Sequence, residues 1–226
     1  NIFFHSVSCL LTLRVVSFAV ITFITALSGS FINSRQGKAK RWKFSTVKVY
    51  IDPNITQDLQ EGYLNAINNW NNNLKEIQFE VVKENKKANV FLSAATYKDY
   101  KEKYKIKSSK SVPDNWLGIT AYNYEKLTNF FSYAKVYYNL DNYEDYLINR
   151  KEIITQVAEH ELGHVLGLEH DDNHAHKSVM ATNGQVNRLS DSDFEKVDTL
   201  YKDNPFMFFN PFYKPNNNLK NNEYYE

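Results

Sequence analysis

Eleven consecutive residues carry the most readable chemistry in this 226-residue chain: His160-Glu161-Leu162-Gly163-His164-Val165-Leu166-Gly167-Leu168-Glu169-His170. On a helix, His160 and His164 stand one turn apart on a shared face, with about 5–6 Å between their Cβ atoms. Two imidazoles at that spacing can converge on one Zn²⁺ at about 2.0–2.1 Å each. A helix that simply continued would carry His170 about 9 Å beyond His164, at a rise of about 1.5 Å per residue, out of reach of the same ion. Gly167 removes the difficulty, because glycine accepts the left-handed conformation that ends a helix and turns the chain back. His170 then becomes the third ligand. Glu161 stays beside the metal, spaced to serve its water rather than to replace a ligand.

Three neutral histidines leave zinc one open position, the arrangement of a catalytic rather than a closed structural site. Zinc lowers the pKa of a bound water to about 7, and Glu161 is placed to accept its proton and return it to a leaving amine. Such hydrolysis needs no nucleophilic serine or cysteine. From average composition the full spacing arises by chance in roughly one chain in 10⁵, which disfavours a core helix with stray surface histidines.

The elements needed to hold this string follow from periodicity. Thr46 to Ile51 alternates as a half-buried strand and stops at Asp52-Pro53-Asn54. Leu59, Tyr63, Ala66, Ile67, Trp70 and Leu74 recur at helical spacing behind Thr56 as a cap. Ile77–Val82, Ala88–Leu92, Trp116–Tyr124 and Tyr133–Leu140 read as four more strands. Asn149 to Leu166 predicts the zinc helix, with Ile153, Ile154, Val157, Ala158, Leu162 and Val165 turned inward. A last amphipathic helix follows Ser190 as N-cap, with Phe194, Val197, Leu200 and Tyr201 on one face. The class is α+β, with a five-stranded sheet.

Composition bounds the rest. A net charge of +1 gives no global field favouring nucleic acid, and none is expected as a partner. Cys9 is the single cysteine, so no intrachain disulfide can form. Residues 1–34 read as a signal peptide or membrane anchor, because Val15 to Ile32 is an uncharged run of 18 positions. Small-residue cleavage sites lie at Ala26-Leu27-Ser28 and Ser28-Gly29-Ser30. Residues 35–41 form a basic linker with Arg35, Lys38, Lys40 and Arg41, which by the positive-inside rule opposes export. Residues 42–203 are the globular domain, and 204–226 an Asn-, Pro- and aromatic-rich mobile tail. The lysine run from Lys98 to Lys110, interleaved with Tyr97, Tyr100 and Tyr104, reads as a solvated connector. Asp171 and Asp172 are candidates to orient a ligand. His174 and His176 read as exposed loop residues. Calcium stays open but unsupported, since Asp141, Glu144 and Asp145 cluster without a recognisable calcium-loop pattern.

The histidine string resembles that of the metzincin zinc peptidases. Ser178-Val179-Met180 is similar to their Met-turn, which places a methionine beneath the metal, and the helix after Ser190 is similar to the closing helix of matrixins. The order of elements over about residues 42–203 also looks matrixin-like. The resemblance implies a metzincin-like catalytic domain: a twisted five-stranded mixed sheet, an active-site helix, the Met-turn and a C-terminal helix. It implies one catalytic Zn²⁺ on His160, His164 and His170, with Glu161 as general base and Gly167 and Met180 as structural residues of the site. Peptide substrate would pair with the edge of the fourth strand, here Leu117, Gly118, Ile119, Thr120, Ala121 and Tyr122, while the stretch after His170 through Asn187 would wall the pocket beyond the scissile bond. Thr182 stands where astacin-like and serralysin-like members place a tyrosine ligand, which disfavours those branches. No histidine lies between His5 and His160 to hold a second zinc, and Cys9 is no candidate for an inhibitory thiol.

The expectation is therefore a small microbial matrixin-like metalloendopeptidase, monomeric, acting on peptide or protein substrates. It would be secreted, or anchored outside the membrane through residues 15–32. The other reading is a non-catalytic relative that keeps zinc for stability and binds peptides or cell-surface ligands. The intact Glu161 speaks against it.

Overall fold

The computed structural model describes residues 39–104, 116–142, 150–172, 178–182, 188–202 and 224–225. The signal or anchor segment, His174, His176, Glu144 and Asp145 lie outside the described residues. Among the described residues, no helix is long and apolar enough to cross a membrane.

Strand β1 (Thr46–Ile51) is followed by helix α1 (Gln57–Asn71), β2 (Gln78–Val81), β3 (Val90–Ala95) and helix α2 (Tyr97–Tyr104). Then come β4 (Gly118–Glu125), β5 (Phe130–Asn139), helix α3 (Arg150–Val165), helix α4 (Asp191–Lys202) and the short β6 (Tyr224–Tyr225). The sheet runs β2-β1-β3-β5-β4-β6. β1 lies parallel to β2 and β3, and β3 parallel to β5, while β4 turns back antiparallel on β5. The sheet is thus mixed, as the resemblance implied, and β6 adds antiparallel to β4 at Ala121 and Tyr122. Those two tail residues are therefore not the free end that composition alone suggested.

β1 falls on its expected residues because alternation with a hard Pro53 stop defines both ends. The basic run gives a different outcome. Its first part is a helix, not a connector, because Tyr97, Tyr100 and Tyr104 recur at spacings of three and four. Tyr100 is fully buried, packing with Trp116, Ile119 and Tyr137 in a small second core. Thr56 precedes α1 in extended backbone but makes no side-chain cap.

The main core lies on the other side of the sheet, where α1 and α3 pack together. α3 is buried on nearly every side, from Ile154 through Leu166, so it reads as a central rather than a surface helix. Its backbone is tied to its neighbours: Trp70 donates to the Glu159 carbonyl at 3.0 Å and Tyr138 to that of Ile154 at 2.9 Å.

Lys40 and Arg41, assigned by the sequence to a linker, belong to the domain. Arg41 bridges Phe130 in parallel and donates from its guanidinium to the Leu200 carbonyl at 2.8 Å. Trp42 is fully buried; its indole N–H donates to the Val165 carbonyl at 2.8 Å and its backbone N–H to the Tyr201 hydroxyl at 3.1 Å. The Tyr201 hydroxyl donates in turn to the Leu166 carbonyl at 3.1 Å. Carbonyls at the end of α3, which no helical partner can reach, are satisfied this way.

Candidate metal centre

α3 presents His160, Glu161 and His164, and ends at Val165. The chain then passes through Gly167 with φ 95°. The Gly167 N–H donates to the His164 carbonyl at 2.9 Å and the Leu168 N–H to that of Gly163 at 3.0 Å. These two bonds form a Schellman motif, the closure expected of a left-handed glycine. The turn brings His170 back to the other two histidines. The His164 Nε2 lies 3.2 Å from the His160 Nε2 and 3.1 Å from the His170 Nε2, and the candidate ligand atoms of the three residues all lie within 4.8 Å of one another.

Two features show that this cluster fits zinc. Nitrogens held about 2.0–2.1 Å from one tetrahedral ion sit roughly 3.3 Å apart, close to the spacings here. The second is tautomeric. The His160 Nδ1 faces the Val179 carbonyl at 2.7 Å and the His164 Nδ1 that of Leu168 at 2.9 Å. A carbonyl can only accept, so both Nδ1 atoms carry the proton and both Nε2 atoms present lone pairs inward. Burial holds the His160 imidazole down to about 4, with the Val179 carbonyl opposing, and holds His164 well below its ordinary value. Both are therefore neutral near pH 7, as metal ligands must be. His164 is buried, His160 half-buried and His170 exposed, so the cluster opens toward solvent on the His170 side. Among the described residues, it is the one group of three such side chains able to hold a metal ion.

Glu161 is buried behind the histidines, against β4. Its Oε2 accepts from the Thr120 hydroxyl at 2.6 Å. Burial pushes its carboxyl up to about 8, with the Thr120 hydrogen bond opposing. A cation held by the adjacent histidines would favour the charged form and pull this value back down.

Met180 lies beneath the site, 1 % exposed, against Gly163. Any Cβ on Gly163 would collide with the Met180 sulfur, so the glycine is required for this approach. The Met180 turn is knotted to α4 by Asp193, a fully buried carboxylate. Asp193 accepts from the Ser178 hydroxyl at 2.6 Å, the Val179 N–H at 3.1 Å, the Ser190 N–H at 3.0 Å and the Ser190 hydroxyl at 2.8 Å. Sequence reasoning missed this residue, naming only Ser190 and the apolar face of its helix. Its signal was its position three residues after Ser190, where a side chain can reach back to the N-cap N–H.

The other candidates divide. Asp171 pairs with Lys196, and Asp172 accepts from the Thr182 N–H at 2.8 Å and its hydroxyl at 2.6 Å. Those bonds hold the Asp172 carboxyl below its usual range. The ligands are oriented by backbone carbonyls instead, because the loop folds back so that the Asp171 N–H donates to the Met180 carbonyl at 3.0 Å. Asp141 accepts from the Tyr97 N–H at 2.7 Å, at the start of α2. Of the expected substrate edge, Ala121 and Tyr122 pair with β6, while Leu117, Gly118, Ile119 and Thr120 run on past its end.

A helix carrying two histidines one turn apart, a left-handed glycine, a third histidine and a methionine packed beneath define a metzincin-type centre. A family model described as Matrixin matches residues 38–202, and the chain belongs to that family, whose members are zinc metallopeptidases. No curated protein matches the chain at a significant level.

Elemental analysis should find about one zinc per chain, the load of a single tetrahedral site. His164→Ala should lose it, since that ring sits between the other two; two ions per chain would show that His174 and His176 had been dismissed wrongly. A second expectation concerns the metal-free protein. Its Glu161 is raised from an ordinary 4.5 to about 8, so between about pH 7 and 8 this group keeps a proton in the folded state that it has lost in the unfolded one, while His160 and His164, neutral in the fold, have by then lost most of theirs in the unfolded state too. The Glu161 contribution to stability should therefore fall as pH rises through that window. Urea denaturation at pH 7 and pH 8 measures the change, and the fall should be absent in Glu161→Gln.

Proposed function

We propose that this protein is a zinc-dependent endopeptidase that cleaves peptide bonds within chains. The observation that supports this most is a buried carboxylate, Glu161, on the same helix as His160 and His164, whose Nε2 atoms converge with that of His170. A site that held zinc only for stability would gain nothing from burying an acid there. His160, His164 and His170 would hold the ion, which when bound supplies a Lewis acid for the scissile carbonyl and a water acidified toward neutrality. Glu161 takes the proton from the attacking water and delivers it to the leaving amine nitrogen. An extended peptide would align along Leu117–Thr120 by strand addition, pairing its backbone with the β4 edge and extending toward the residues that β6 covers.

Glu161→Gln keeps the size of the side chain and leaves all three ligands. Zinc content should stay at wild-type level while hydrolysis of a peptide library falls by roughly 10²–10⁴-fold, the usual worth of a general base. Near wild-type cleavage by this variant would refute the assignment of Glu161.

Export is part of the same proposal. The uncharged run from Val15 to Ile32 has the length of an export or anchoring segment, which supports a domain that works outside the membrane. Added protease on intact cells should therefore reach the domain, whereas protection until lysis would overturn this placement.

A further inference from the structure

Strand β4 alternates its side chains between the two cores. Ile119 joins the small core with Tyr100, and Gly118, Thr120 and Tyr122 face α3. Thr120 is 0 % exposed on that face. At such a position valine would fill the same volume with no polar atom, and burying a hydroxyl costs free energy unless it finds a partner. Thr120 finds two on one residue. Its Oγ1 lies 2.6 Å from the Glu161 Oε2 and 3.1 Å from the Glu161 carbonyl oxygen. The neighbouring position is shaped for the same carboxylate: a Cβ on Gly118 would stand 2.7 Å from both the Glu161 Cγ and Oε1. Glu161 is therefore gripped at Oε2 by Thr120, while Oε1 lies over the gap left by Gly118.

We infer that Thr120 is a positioning residue: its side-chain hydroxyl fixes the Glu161 carboxylate by holding Oε2, leaving Oε1 as the oxygen that accepts the proton. This rests on the peptidase reading above and adds to it a link between base and substrate edge. The backbone of Thr120 belongs to the edge along which peptide would align, and its side chain orients the base. A group held in one rotamer before substrate arrives need not be ordered during the reaction, so the benefit appears in the chemical step rather than in binding.

Two substitutions separate the hydroxyl from the packing. Thr120→Val keeps the branched shape and removes the hydroxyl, while Thr120→Ser keeps the hydroxyl. With full-length zinc-loaded protein and a peptide substrate, Thr120→Val should lower kcat by roughly tenfold to a hundredfold, the worth of a hydrogen bond to a charged group. KM and zinc content should not change, and Thr120→Ser should restore most of the rate. A wild-type kcat in Thr120→Val, a loss confined to KM, or a loss of zinc would each overturn the assignment. A second measurement does not depend on turnover. In urea denaturation, Thr120→Val and Glu161→Leu should be clearly non-additive when combined, and simple additivity would sink the contact itself. Wild-type protein that binds zinc yet cleaves nothing would refute the peptidase reading, and the cycle would still decide whether Thr120 holds Glu161.

Discussion

Two imidazole lone pairs, on the Nε2 atoms of His160 and His164, held 3.2 Å apart form an arrangement that proteins do not adopt without cause. Each lone pair repels the other, and a proton placed between them would block a metal. The chain answers this through the far side of two rings. The Val179 and Leu168 carbonyls accept the Nδ1 protons of His160 and His164, and burial keeps both rings neutral. Both carbonyls lie outside α3, so the helix cannot set up its own ligands. The turn after Gly167 supplies one and the Met180 turn the other. Much of the architecture serves to keep those two carbonyls in place.

That dependence explains where the structure invests its buried polar groups. Asp193, fully buried, binds the Met180 turn to the start of α4 through four hydrogen bonds and so fixes the Val179 carbonyl. A buried carboxylate is costly unless its oxygens are fully engaged, and this one is. Glu161 represents the opposite choice. It is buried with one strong partner, and its charge is left undersatisfied beside a site built for a cation. The two buried acids thus differ in how completely their oxygens are occupied.

The parts legible in the sequence were those fixed by local geometry. The histidine spacing, the left-handed Gly167 and strand β1 with its Pro53 stop all follow from rules spanning a few residues, and each is found at its expected position. Met180 also lies under the site as its likeness to a Met-turn implied. What escaped depends on residues far apart in the chain. Nothing near Thr120 or Asp193 announces that one meets Glu161 across 41 positions or that the other meets Ser178 across 15. Helix α2 was hidden for a different reason: its lysines open a longer lysine run, and the interleaved tyrosines, among them the buried Tyr100, were read as part of a solvated connector. Asp171 and Asp172 engage Lys196 and Thr182, partners that closeness in sequence to His170 did not announce.

The place where the chain enters the domain has a consequence for how the protein can be handled. The Lys40 carbonyl lies against Gly167, so close that no side chain could stand between them. Lys40 also donates to the Tyr122 hydroxyl at 2.6 Å, and Arg41 and Trp42 tie down the ends of α3 and α4. This short stretch is a wedge driven behind the turn that presents His170. A shortened chain that begins at Ala39 keeps the wedge, whereas one that begins at Lys43 removes it and takes away the backbone that lies against the turn presenting the third ligand.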